Sequence, residues 1–147
     1  TSVDSTTTIT LPPYYTLDVS DWSGKPIREI ELISWIPDLP PSIEEGQQYL
    51  IMYSRTCEHC HELLLEHFSY DPPAPTTLVA IPESTDGFAE GGGLDNPCLD
   101  CLEVELPVGT DWLMTPPIVI SIEDGVVQCA QESEETYDPQ CLPWHGF

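Results

Sequence analysis

The chain has 147 residues, 40% of them hydrophobic, and sets 26 Asp and Glu against only Lys25, Arg28 and Arg55, for a formal charge of -23. That length buries a proper core in one domain, while the charge excludes nucleic acid and disfavours anionic lipid as partners, since both need a basic surface. No stretch approaches the roughly 18 consecutive apolar residues of a membrane span.

Sixteen prolines and nine glycines predict many turns and few long helices. Residues 1–12, which open Ser/Thr-rich, read as a flexible tail or linker, and 13–147 as a single domain with its core over about 48–127. Two β-like runs, 14–19 and 26–33, flank Asp21-Trp22-Ser23-Gly24, which has the composition of a hairpin turn. The second run alternates, with Ile30 and Leu32 on one face and Glu29 and Glu31 on the other, so an N-terminal β-hairpin is expected. Pro37, Pro40 and Pro41 leave room for one helical turn over 42–47.

Residues 49–53 are almost continuously apolar, as in a strand covered on both faces. Ser54-Arg55-Thr56 forms the following loop, and Thr56 suits the N-cap of a helix. That helix carries Leu64 and Leu65 at spacings that share a face with Phe68, and Asp71-Pro72-Pro73 ends it. A buried strand is predicted over 76–81. Between 82 and 114, Gly91-Gly92-Gly93 and Asn96-Pro97 mark an inserted loop, and Leu102-Glu103-Val104-Glu105-Leu106 alternates as a half-exposed strand does. Thr115-Pro116-Pro117 runs into the apolar 118–122, and Glu123-Asp124-Gly125 then turns into Val126-Val127. The tail over 128–147 is broken by Pro139 and Pro143.

Six cysteines group by position as Cys57/Cys60, Cys98/Cys101 and Cys129/Cys141. Their pairing stays open from sequence, and neighbour pairing is the simplest of the connectivities. Two disulfides beyond a reactive pair favour an oxidising compartment. The chain begins at Thr1 rather than Met, which leaves room for an export signal or anchor before it. The expected location is extracytoplasmic, periplasmic or secreted, with the soluble domain of a membrane-anchored protein as one form of it.

The chemistry concentrates in Cys57-Glu58-His59-Cys60, between an apolar strand and a helix start. There, unpaired backbone N–H groups and the helix dipole stabilise a thiolate. Together with the proline pair ahead of the late hairpin, this pattern resembles the thioredoxin family over about 48–127. In that family a Cys-x-x-Cys after a central strand faces a cis-proline that opens a late hairpin.

The resemblance implies a thioredoxin-like α/β fold: a central mixed sheet flanked by helices, here with the N-terminal hairpin, the loop and strand insertion and a reduced C-terminal helix. It also implies thiol-disulfide exchange with protein thiols or disulfides, with Cys57 attacking, Cys60 resolving and 115–117 aligning the substrate backbone. An upstream redox partner, membrane-bound in an anchored system, completes the cycle, and no cofactor or metal is called for. His59 lies where strongly oxidising members carry a histidine, and a partly cationic imidazole favours the thiolate. Glu58 opposes it, so an intermediate potential is expected.

Two departures from the family bear on mechanism. The acidic residue that the family buries upstream of its first cysteine falls at Ile51, which leaves Glu58, His59, His61 or water to move protons; Tyr53 matches an aromatic of the central strand. Either Pro116 or Pro117 suits the cis position, and Thr115-Pro116 is preferred because it keeps an N–H at Thr115 for a substrate strand. Trp112, just before the proline loop, is expected to border the site. The second cysteine pair is read as structural, with a relay to Cys57 and Cys60 as the sharper alternative; Cys129 and Cys141 are read as structural. The competing functions are a copper or zinc binding and delivery module, drawing on Cys57, His59, Cys60 and His61, and a non-catalytic thioredoxin-fold interaction domain.

Overall fold

The computed structural model describes residues 11–36, 38–68, 74–88, 98, 101–132 and 141. Pro37, Asp71-Pro72-Pro73, the triple glycine, Asn96-Pro97 and most of the tail, 133–140 and 142–147, lie outside them, as does the predicted tail up to Thr10. Leu11 packs on the core, and the Pro12 carbonyl accepts from Thr110 Oγ1 at 2.9 Å.

The architecture is α/β, built on a five-stranded mixed sheet in the order β4-β3-β2-β6-β7. Its members are β2 (Gln47–Tyr53), β3 (Thr76–Ala80), β4 (Leu102–Glu105), β6 (Ile118–Glu123) and β7 (Val126–Glu132). Strands β2, β3 and β4 run parallel, and β6 and β7 are antiparallel. The central strands β2 and β3 are buried nearly throughout, which is why they read as unbroken apolar runs.

Alternation along each strand separates two cores. Leu50, Met52, Val79, Val104, Ile118, Ile120 and Ile122 point to one face, where the N-terminal segment covers them. Tyr49, Ile51, Tyr53, Leu78, Ala80 and Val119 point to the other, under α1 (Glu58–Phe68). Helix α1 docks through Cys60, Leu63, Leu64 and Phe68, with the Phe68 ring edge-on to Tyr49 at 6.2 Å. Leu65, expected on this face, is 52% exposed, and Leu63 takes its place.

The N-terminal hairpin does not form. β1 (Tyr14–Thr16) instead pairs in parallel with β5 (Asp111–Leu113), and 3-10 turns at Ile27–Glu29, Glu31–Trp35 and Pro41–Glu44 follow. The reason is visible in the burial: Ile27, Ile30, Ile33 and Ile36 recur every third residue, the period of a 3-10 helix, and all four are buried. The alternation of Glu29, Ile30, Glu31 and Leu32 cuts across that pattern, because Leu32 is buried on a second row of the same spacing, with Trp35. The helical turn expected over 42–47 is present one residue earlier, at Pro41–Glu44.

The hairpin from β6 to β7 turns through Asp124 (φ 49°) and Gly125 (φ 84°), both in the left-handed region. A Cβ on Gly125 would stand 3.3 Å from the Glu44 Cβ. Gly125→Ala is therefore expected to cost about 1–3 kcal/mol, read as a shift of the urea midpoint at unchanged slope.

Tyr49 is fully buried, and its hydroxyl accepts from Gln47 Nε2 at 3.0 Å. Burial pushes its pKa up to about 12, against a smaller lowering by Gln47. Folded Tyr49 thus keeps its proton where the unfolded side chain, near 10, loses it. The stability it contributes is full below pH 10 and is lost as pH rises towards 12. Denaturant unfolding across that interval, with ultraviolet titration of the tyrosines, checks both the direction and the late-ionising group.

Candidate active site

Cys57 and Cys60 form a disulfide with Cα atoms 5.3 Å apart, and Cys98–Cys101 and Cys129–Cys141 form the other two, at 5.6 and 5.3 Å. Cys57, rather than Thr56, is the cap of α1. Its carbonyl accepts the first helical bond, from His61 N–H at 3.1 Å, and its Sγ accepts from Cys60 N–H at 3.1 Å. The sulfur therefore occupies the place of an N-cap oxygen, against one of the helix's unpaired donors. Thr56 serves the preceding turn instead, its N–H donating to Ser54 Oγ at 3.3 Å, while Cys57 N–H closes that turn on the Ser54 carbonyl at 3.1 Å.

The two sulfurs differ in access: Cys57 is half-buried, whereas Cys60 is 1% exposed in the core beneath the helix. An incoming thiolate reaches Cys57 first, and Cys60 is placed to leave or resolve. His59 is also half-buried, and burial lowers its pKa against a weaker opposing effect of Glu62. That direction favours neutral imidazole, so the cationic His59 anticipated beside the thiolate is weakened in the disulfide state. Glu58, exposed in the first helical turn, and half-buried His61 are the remaining titratable neighbours on α1.

Strand register places the proline loop at the same end of the sheet. Ile118 pairs with Met52, so Pro117 comes abreast of Tyr53, next to the turn that carries Cys57. The cis peptide is Pro116-Pro117, which corrects the preference for Thr115-Pro116. Thr115 is exposed and Pro117 buried, and the residue ahead of the cis bond, Pro116, has no N–H to offer a partner strand.

Trp112 does not border this site. It packs on the opposite face with Tyr15 and Trp35, ring centroids 6.1 and 5.8 Å away, and its indole N–H donates to the Pro107 carbonyl at 2.9 Å. Pairing of β5 with β1, which no local pattern announced, fixes it there.

On the β3–β4 side of the turn lies a charged group that sequence reading overlooked. Arg55 Nη2 is 3.1 Å from both Glu103 Oε2 and Glu105 Oε2, and its guanidinium lies 4.8 Å over the Phe88 ring. Glu83 Oε2 accepts from Ser54 Oγ at 2.8 Å and from Arg55 N–H at 3.1 Å, and the Tyr53 hydroxyl donates to Glu103. Burial raises the pKa of Glu103, and Glu105 raises it further. The available signal was that one of three cations in the whole chain stands two residues before Cys57.

The other two disulfides sit elsewhere. Ser121 pairs with both Tyr49 and Cys129, and Tyr49 with Thr76, whose level on the neighbouring strand is that of Cys101, just before Leu102. Cys101 and Cys129 thus flank one row of the sheet, level with the Phe68 end of α1, while Cys57 is at the opposite end of that helix. A direct relay between the second pair and Cys57 is disfavoured by that placement. Among the described residues no three His, Cys, Asp or Glu side chains gather as a metal set, and no helix is long and apolar enough to cross a membrane.

No protein-family model matches the chain, and neither does any curated protein or solved structure.

Proposed function

We propose that the protein is a thiol-disulfide oxidoreductase of thioredoxin-like type, exchanging disulfides with protein substrates through Cys57 and Cys60. The observation that carries this reading is the placement of Cys57: a half-buried cysteine whose sulfur caps a helix at the end of a central strand, with the Thr115-Pro116-Pro117 loop abreast of that end. A mixed five-stranded sheet is compatible with the family resemblance.

In the oxidising direction a substrate thiolate attacks Cys57 Sγ, the Cys57–Cys60 bond breaks, and Cys60 leaves as a thiolate. A second substrate thiolate then closes the substrate disulfide and frees Cys57. The reverse sequence reduces a substrate disulfide. Cys60 N–H, already directed at Cys57 Sγ, is the fixed donor for the Cys57 thiolate that ends the oxidising sequence and begins the reducing one. Three disulfides in one small domain support an extracytoplasmic setting with an upstream redox partner, and the burial that lowers the His59 pKa removes part of the push toward an oxidising potential, leaving the expected value on the reducing side of intermediate.

The test is equilibration in glutathione or dithiothreitol buffers with mass-spectrometric trapping that resolves each cysteine. A single reversible two-electron transition at Cys57 and Cys60, ahead of the other four cysteines, is expected. An inert pair, or one that titrates only after metal is stripped, would return the chain to the binding-module reading.

A further inference from the structure

Charge at the redox end of the sheet is lopsided. Among the described residues around the Cys57 turn, Glu58, Glu62, Glu83, Glu103 and Glu105 are acidic, and Arg55 is the sole Lys or Arg; Lys25 and Arg28 belong to the N-terminal segment on the other face. Arg55 is also the better fixed of the two arginines. Its side chain is 23% exposed, against 42% for Arg28, and it is gripped by two carboxylates and an aromatic ring.

We infer that Arg55 is a positioning residue whose guanidinium sets the thiolate–disulfide balance of the Cys57–Cys60 pair, while Glu103 and Glu105 hold that charge in place and partly cancel it. The inference rests on the redox reading above. Two peptide units separate Arg55 from Cys57, so their Cα atoms lie within about 7.6 Å of each other. Phe88, under the guanidinium, packs against the same cluster as Cys57 and Cys60. Reduction of the pair by a dithiol donor moves two electrons onto it: the donor thiolate bonds to Cys57 Sγ as Cys60 departs, the donor closes its own disulfide, and Cys57 is released as an anion.

That anion forms in a strongly negative protein, and Arg55 is the fixed cation nearest it in sequence. A unit charge about 10 Å from a sulfur, at an effective dielectric between about 20 and 80, changes its ionisation roughly twofold to fifteenfold. The raised pKa of Glu103 agrees with a carboxyl partly withdrawn from water and, to a lesser degree, set beside the like charge of Glu105.

Opposite signs for the two partners of one ion pair separate this role from a structural one. In full-length protein, Arg55→Gln is expected to raise the Cys57 thiol pKa and make the pair more reducing, by about threefold in its equilibrium with glutathione, or about 14 mV. Glu103→Gln, which keeps an oxygen for Tyr53 and for Arg55, is expected to shift both quantities the other way by a similar factor. Arg55→Lys should restore at least half of the Gln effect. Thiolate absorbance and redox buffers read the two quantities. Shifts of the same sign in both Gln variants, or no shift in either while the wild-type pair titrates reversibly, would overturn the inference and leave the redox reading standing. A wild-type pair that does not titrate reversibly would take down both.

Discussion

Cys57→Ser is expected to abolish disulfide exchange, with a loss on the order of 10³-fold or more, the scale seen when an enzyme loses its nucleophile. Cys60→Ser should behave differently: Cys57 still attacks, nothing resolves the product, and a mixed disulfide with a peptide substrate accumulates at Cys57. The asymmetry follows from access, since Cys57 is half-buried at the mouth of the turn and Cys60 is 1% exposed below it. Incubation of each variant with a disulfide peptide, followed by digestion and mass spectrometry, assigns the trapped sulfur. Equal trapping at Cys60 in the Cys57→Ser protein would contradict the assignment of roles.

Phe68→Ala is expected to have the largest effect on stability. Phe68 is fully buried at the far end of α1 and meets the buried Tyr49 ring at 6.2 Å, so truncation leaves a cavity between helix and sheet. Such changes cost about 3–5 kcal/mol, a large part of the roughly 5–15 kcal/mol that holds a domain together. For a chain of this size that is a fall of about 10 °C or more in Tm. Leu65→Ala, three residues earlier and 52% exposed, is the control and should change stability by no more than about 0.5 kcal/mol. A small effect of Phe68→Ala would mean that α1 is held mainly by Leu63, Leu64 and the disulfide.

What was legible in the sequence was the part whose signals are local. An unbroken apolar run gave β2, alternation gave β4, a cysteine pair ahead of leucines gave α1, and Asp124-Gly125 gave the late hairpin. The N-terminal region misled because Ile30 and Leu32 belong to two neighbouring rows three residues apart, one with Ile27, Ile33 and Ile36 and the other with Trp35, and a four-residue window sees one member of each as alternation. The cap was misplaced by one residue because Thr56 and Cys57 both offer an acceptor there, and the loop geometry decides between them. Trp112 and the Arg55 group depend on partners far along the chain, such as Glu103, 48 residues from Arg55. No short window contains them.

The separation of the three disulfides along the sheet has a practical meaning for the molecule in a reducing surrounding. Cys57–Cys60 opens a half-buried turn at one end, whereas Cys101 and Cys129 clasp opposite margins of the row through Tyr49 at the other. Opening Cys57–Cys60 would leave the bridges at the far row in place, so the exchange proposed above would run on a sheet still fastened at both margins. Each of the three bridges joins one half-buried cysteine to one buried cysteine, so it is position along the sheet, and not exposure, that sets Cys57–Cys60 apart.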